Sequence, residues 1–134
     1  VCEAIIGFSS HMRKHDYDIA CHACTIAEKS DMKCKHGCII LDKKGKKISS
    51  ACNTSVLGES NIDKRYKNGK RISLHAEENA LRSADPKKLN GARLYVFRKG
   101  NGEQILNSKP CKRCITIINS FMRKYGLRIV FYSS

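Results

Sequence analysis

Two short runs of this chain bring metal-ligating and proton-transferring side chains together: His75-Ala76-Glu77 and Pro110-Cys111-Lys112-Arg113-Cys114. One imidazole and two thiolates suit a tetrahedral Zn2+ ion. Three protein ligands, His75, Cys111 and Cys114, leave the fourth position open to water, which is the catalytic arrangement; structural sites close with four. Glu77 stands two residues from the histidine, near enough to take a proton at that open position, and is the candidate general base. Its neighbour Glu78 reads as an ordinary acid on a helix surface.

These groups need elements that hold them in register. Strong helix formers predict a short helix over 74–82, stopped before Asp85-Pro86. A second helix is expected over 111–125, where Ile115, Ile118, Phe121 and Met122 recur at helical spacing and Gly126 stands at the C-terminal cap. Two helix N-termini would then present the three ligands, and their positive dipole ends favour thiolate. Before them, an apolar stripe predicts a helix over 16–29. Residues 38–41 and 47–52 flank the turn-like 42–46 as a hairpin, and 92–98 and 127–132 read as strands. The order is α-β-β-α-β-α-β. Strands alternating with helices imply crossovers, hence an α/β fold with a mixed sheet sandwiched by helices.

The composition is that of one ordinary domain spanning 1–134. Of the 134 residues, 41% are hydrophobic and 28% charged, and there is no repeat or low-complexity tract. No apolar run approaches the ~20 residues of a membrane-spanning helix, and residues 1–10 carry no secretory signal pattern, so no membrane partner is expected. Lys and Arg total 26 against 12 acids, a net +14 that attracts nucleic acid or a phosphorylated substrate. Eight cysteines in a chain this long suggest reduced thiols or metal ligands more than a disulfide framework, which points to the cytoplasm or the nucleus. Cys21 and Cys24 repeat the C-x2-C spacing and could join Cys34, His36 and Cys38 in a second metal cluster. The other reading, that they are buried thiols, fits their place in apolar patterns.

The pattern H-x-E followed by P-C-x-x-C is a signature of zinc nucleobase deaminases. The chain resembles the cytidine deaminase-like superfamily, in particular its deoxycytidylate, tRNA-adenosine and APOBEC-type branch. The likeness extends to the helix leading into His36-Gly37-Cys38-Ile39-Ile40, to the hairpin ending at Asn53 and to the strands on either side of the Cys motif. It implies the mixed sheet between helices, zinc on His75, Cys111 and Cys114, proton transfer by Glu77, and substrate contacts at Asn53 and Ala76. The reaction it implies is hydrolytic loss of ammonia from a base, cytosine preferred. Adenosine in tRNA and a non-catalytic zinc-containing nucleic-acid module are the alternatives.

The chain departs from that pattern twice. Residues 99–108 form an inserted loop before the Cys motif, and the sequence given stops at Ser134, so the further strand and helix of many members are missing or not included. The polar segment 58–73 has a local net charge of +3 and directly precedes His75. Lys64, Arg65 and Tyr66 are therefore expected at the pocket edge, offering charge and one stacking ring to a nucleotide or a single-stranded nucleic acid.

Overall fold

The computed structural model describes residues 5–8, 14–32, 34–55, 66–67, 70–71, 73–100 and 104–133. The elements are β1 (Ile5–Phe8), α1 (Lys14–Ala27), β2 (Lys35–Leu41), β3 (Lys47–Cys52), β4 (Thr54–Ser55), β5 (Tyr66–Lys67), β6 (Lys70–Arg71) and β7 (Ser73–Leu74). They continue with α2 (Ala76–Ser83), a 3-10 turn (Pro86–Lys88), β8 (Arg93–Lys99), β9 (Ile105–Leu106), α3 (Lys112–Tyr125) and β10 (Ile129–Ser133). The main sheet has the order β1-β10-β8-β2-β3, with β9 also paired to β8. β1, β10 and β8 run parallel, while β2 is antiparallel to both β8 and β3.

The expected elements form, and the sheet is mixed and sandwiched. One strand is new. Ile5–Phe8 was only a brief apolar patch in the sequence; it becomes the edge strand β1 because β10 offers it a parallel partner, Ile5 opposite Val130. That pairing is a tertiary contact that four residues of local pattern do not encode.

Alternation along β2 and β8 decides the two cores. Cys38 and Ile40, with Leu94 and Val96, face α2 and α3 and pack with Ala80, Leu81, Ile118 and Val130. The intervening Ile39, Leu41, Tyr95 and Phe97 face α1 and meet Ile19, Ala20, Ala23 and Ile26. Both central strands are covered on both sides, so their sequences read as continuous apolar runs.

The α1 layer lies unusually close. A Cβ built on Gly37 would fall within 1.9 Å of the Ala23 carbonyl oxygen, so only glycine lets this helix settle on β2. At the other end of the sandwich, Gly126 caps α3 at φ 78°, its N–H donating to the Met122 carbonyl at 3.2 Å, as the sequence predicts.

Candidate metal centre

The three ligands arrive from two helix starts. His75 is the N-cap of α2, Cys111 the N-cap of α3, and Cys114 sits in the first turn of α3. Neither N-cap residue makes a side-chain capping bond. The first-turn N–H groups therefore have no capping side chain at either helix start.

His75 Nδ1 lies 3.2 Å from Cys114 Sγ and 3.5 Å from Cys111 Sγ, and the three donor atoms fall within 4.8 Å of one another. A tetrahedral ion with Zn–N of about 2.1 Å and Zn–S of about 2.3 Å requires an N···S edge of roughly 3.5 Å, so the donor set fits zinc. Among the described residues, this is the one group of three His, Cys, Asp or Glu donors so arranged.

Burial adds a second electrostatic influence on the ligands. Cys114 is 1% exposed, and its desolvation, reinforced by the charges of Glu77 and Cys111, pushes the thiol far above its ordinary range. This burial opposes the helix dipole, which favours the thiolate. A cation among the ligands would favour the thiolate as well.

Glu77 is 5% exposed beside these ligands. Burial raises its carboxyl above the usual range; its own backbone N–H, the charge of His75 and a hydrogen bond with Cys114 pull the other way. Burial, the first of these influences, favours the protonated carboxyl, and the others favour the carboxylate.

Glu78 corrects the sequence reading. It is 1% exposed, not on the surface, and its carboxylate meets Arg82 at 2.8 Å and Arg113 at 3.2 Å. Arg113 lies between the two cysteines, so this ion pair ties the histidine-bearing helix to the cysteine-bearing one.

A cavity of about 280 Å3 opens onto the centre. His75, Ala76, Glu77 and Cys111 line it from the helix starts, Met32, Cys34 and Asn53 from the α1–β2 and β3–β4 connections, His36 from the start of β2, and Ser108 and Lys109 from the loop before α3. It lies at the carboxyl ends of the parallel strands, where ligand sites of open α/β sheets collect. The inserted loop 99–108 is anchored there: Ser108 Oγ donates to the Val96 carbonyl at 2.8 Å, and the Ser108 N–H donates to the Ser133 carbonyl at 2.7 Å.

Asn53 and Ala76 both reach the cavity as expected. The Asn53 side chain already holds the neighbouring connection, accepting from His36 N–H at 2.9 Å and donating to the Cys34 carbonyl at 2.6 Å. Among the described residues, one amide hydrogen and one lone pair have no further partner. Lys64 and Arg65 lie outside the described residues, and Tyr66 is described only as backbone in β5. Met32, Cys34, His36, Ser108 and Lys109 were not expected. Lys109 stood in plain view before Pro110, but the others come together only through the fold.

The second cysteine cluster does not assemble. Cys24 packs with the α1-side core, while Cys38 is buried in the core on the opposite face of the sheet. Cys34 instead accepts a hydrogen bond from Arg98 Nη2 at 3.3 Å.

Comparison with known proteins agrees with this geometry. No curated protein matches the chain. A solved structure of cytidine deaminase from Burkholderia pseudomallei shares the fold, at 20% identity and a TM-score of 0.53 over 86% of this chain and 78% of that one. The family described as the cytidine and deoxycytidylate deaminase zinc-binding region matches residues 11–131, which take in the sandwich and all three ligands. The chain therefore belongs to that family, a zinc-dependent hydrolase of the cytidine deaminase-like superfamily.

Proposed function

We propose that this protein hydrolytically removes the exocyclic amino group of a nucleobase, cytosine by preference, carried in a nucleotide or in single-stranded nucleic acid. The observation that carries the reading is Glu77, a buried carboxylate held beside three zinc ligands at the inner end of a cavity. Bound zinc supplies a Lewis acid that lowers the pKa of water towards neutrality.

The protein's own groups account for the rest. Glu77 accepts a proton from the attacking water and delivers it to a ring nitrogen, then serves the departing amine, so that water and the amino base become the carbonyl base and ammonia. The cavity lining keeps bulk water from that exchange. Asn53, through its spare amide hydrogen and lone pair, and the Ala76 backbone N–H, at the uncapped start of α2, are the contacts we assign to the substrate. The +14 net charge favours a phosphorylated substrate. The seven free thiols among the described residues support a reducing compartment, the cytoplasm or the nucleus.

The test is ammonia release and base conversion by wild type and Glu77→Ala on cytidine, its monophosphate and deoxymonophosphate, adenosine, single-stranded DNA and RNA, and tRNA. Conversion of cytosine by wild type alone is expected. Conversion confined to adenosine in tRNA would overturn the base preference. No conversion by zinc-loaded protein would leave a non-catalytic nucleic-acid module.

A further inference from the structure

The end of the molecule farthest from the pocket concentrates positive charge. The turn between β2 and β3 carries Lys43, Lys44 and Lys46, β3 opens with Lys47, and the 3-10 turn adds Lys87 and Lys88, all exposed. The last turn of α3 and its exit contribute Arg123, Lys124 and Arg128, exposed as well.

These three segments form one surface. Gly91 N–H donates to the Gly126 carbonyl at 2.9 Å, and Arg128 N–H to the Ala92 carbonyl at 2.9 Å. A Cβ built on Gly91 would meet Lys43 Cβ at 3.3 Å, which brings the hairpin turn against the other two segments. The acids of these segments, Asp42 and Asp85, are occupied in shaping the turns: Asp42 Oδ1 accepts from the N–H groups of Lys44 and Lys46, and Asp85 Oδ1 from that of Lys87.

Within this surface lies a shallow hollow lined by Pro86, Lys87, Asn90, Lys124, Tyr125 and Gly126. Tyr125 is 37% exposed, with its ring tilted against Phe121 at a centroid distance of 5.2 Å. Cations around an exposed aromatic ring are the elements of a single-strand platform, the lysines taking phosphates and the ring a base. An anionic membrane fits less well, because among the described residues the only exposed large hydrophobic side chains are Tyr125 and Ile6. Helix-end complementarity explains Arg123 and Lys124 but not the lysines of the two turns. Like charges gathered this densely repel one another, a cost that a polyanionic partner offsets.

We propose that this far end is a second binding surface, for single-stranded nucleic acid, with Lys87 and Lys124 gripping phosphates and Tyr125 stacking on a base. α3 runs from Lys112 by the metal centre to Tyr125, and its 14 residues span about 21 Å, or roughly six steps at the ~3.4 Å nucleotide spacing of duplex DNA. A strand touching both sites would have to span at least about 21 Å. The surface is independent of turnover in the pocket, so a binding assay reads it whatever the pocket does.

The test is titration of the zinc-loaded full chain with a labelled oligothymidylate of about 12 nucleotides across a range of salt concentrations. Lys87→Glu/Lys124→Glu is expected to weaken binding about ten-fold and to reduce the log–log salt slope by about 1.4, the loss of two phosphate contacts. Tyr125→Leu should weaken it about ten-fold, with Tyr125→Phe restoring it. Lys29→Glu/Lys35→Glu, which removes the same charge elsewhere, should have the smaller effect. Equal losses in the two double variants would reduce the surface to bulk charge, and no loss at Lys87, Lys124 and Tyr125 would overturn it. Binding to phosphatidylserine vesicles but not to the oligonucleotide would also overturn it, and thermal melting confirms that each variant is folded.

Discussion

Two pairs of cysteines in this chain have the same spacing, and only one of them belongs to a metal centre. Cys111 and Cys114 open α3 where first-turn N–H groups lack a capping side chain and where a second helix start brings His75 within 3.5 Å of both sulfurs. Cys21 and Cys24 lie inside α1, where backbone donors serve the helix, Cys21 faces outward, and burial of Cys24 raises its thiol. The C-x2-C spacing places two sulfurs on one helical face but does not supply a third ligand. Position on the helix, and what the fold brings opposite, make the difference.

The sharpest way to separate the two pairs is to remove the chemistry from one of them. Glu77→Gln should lose about three orders of magnitude in turnover while keeping zinc, since it removes the proton carrier and leaves the ligands. Elemental analysis beside an ammonia assay checks this, and retained turnover would assign proton transfer to another group.

Gly37→Ala attacks the other side. The added methyl collides with the α1 backbone and should cost about 3 kcal/mol of stability in denaturant titration. Zinc content should not change, because α1 carries no ligand; loss of metal would mean that α1 and its cysteines take part.

A smaller effect is expected at the joint between the ligand helices. Glu78→Gln leaves Arg82 and Arg113 without their carboxylate, but both arginines are at least half exposed, so the cost should be about 1 to 2 kcal/mol. Zinc affinity should fall several-fold in a chelator competition, and an unchanged affinity would separate the clamp from the metal.

The sequence made the local parts of this account readable. Helical periodicity located α1 and α3, Gly126 marked the end of α3, and two short motifs named every ligand. It did not make readable what depends on partners distant in the chain. β1 is a strand only because β10 lies beside it, and Glu78 reads as a surface acid until α3 brings Arg113 over it. The pocket likewise gathers Met32 from the α1–β2 connection, His36 from the start of β2 and Ser108 from the loop before α3. Cys114 follows the same division, because a dipole is visible in a helix start whereas the burial that opposes it is a property of the folded core.

The central claim is that one cysteine pair with its histidine holds the zinc and that the other pair holds none. Zinc per chain, measured on wild type, Cys21→Ser/Cys24→Ser and Cys111→Ser/Cys114→Ser purified without chelator, tests it most directly. The account predicts about one ion, about one and none, respectively. Two ions in the wild type, or zinc retained after loss of Cys111 and Cys114, would contradict it.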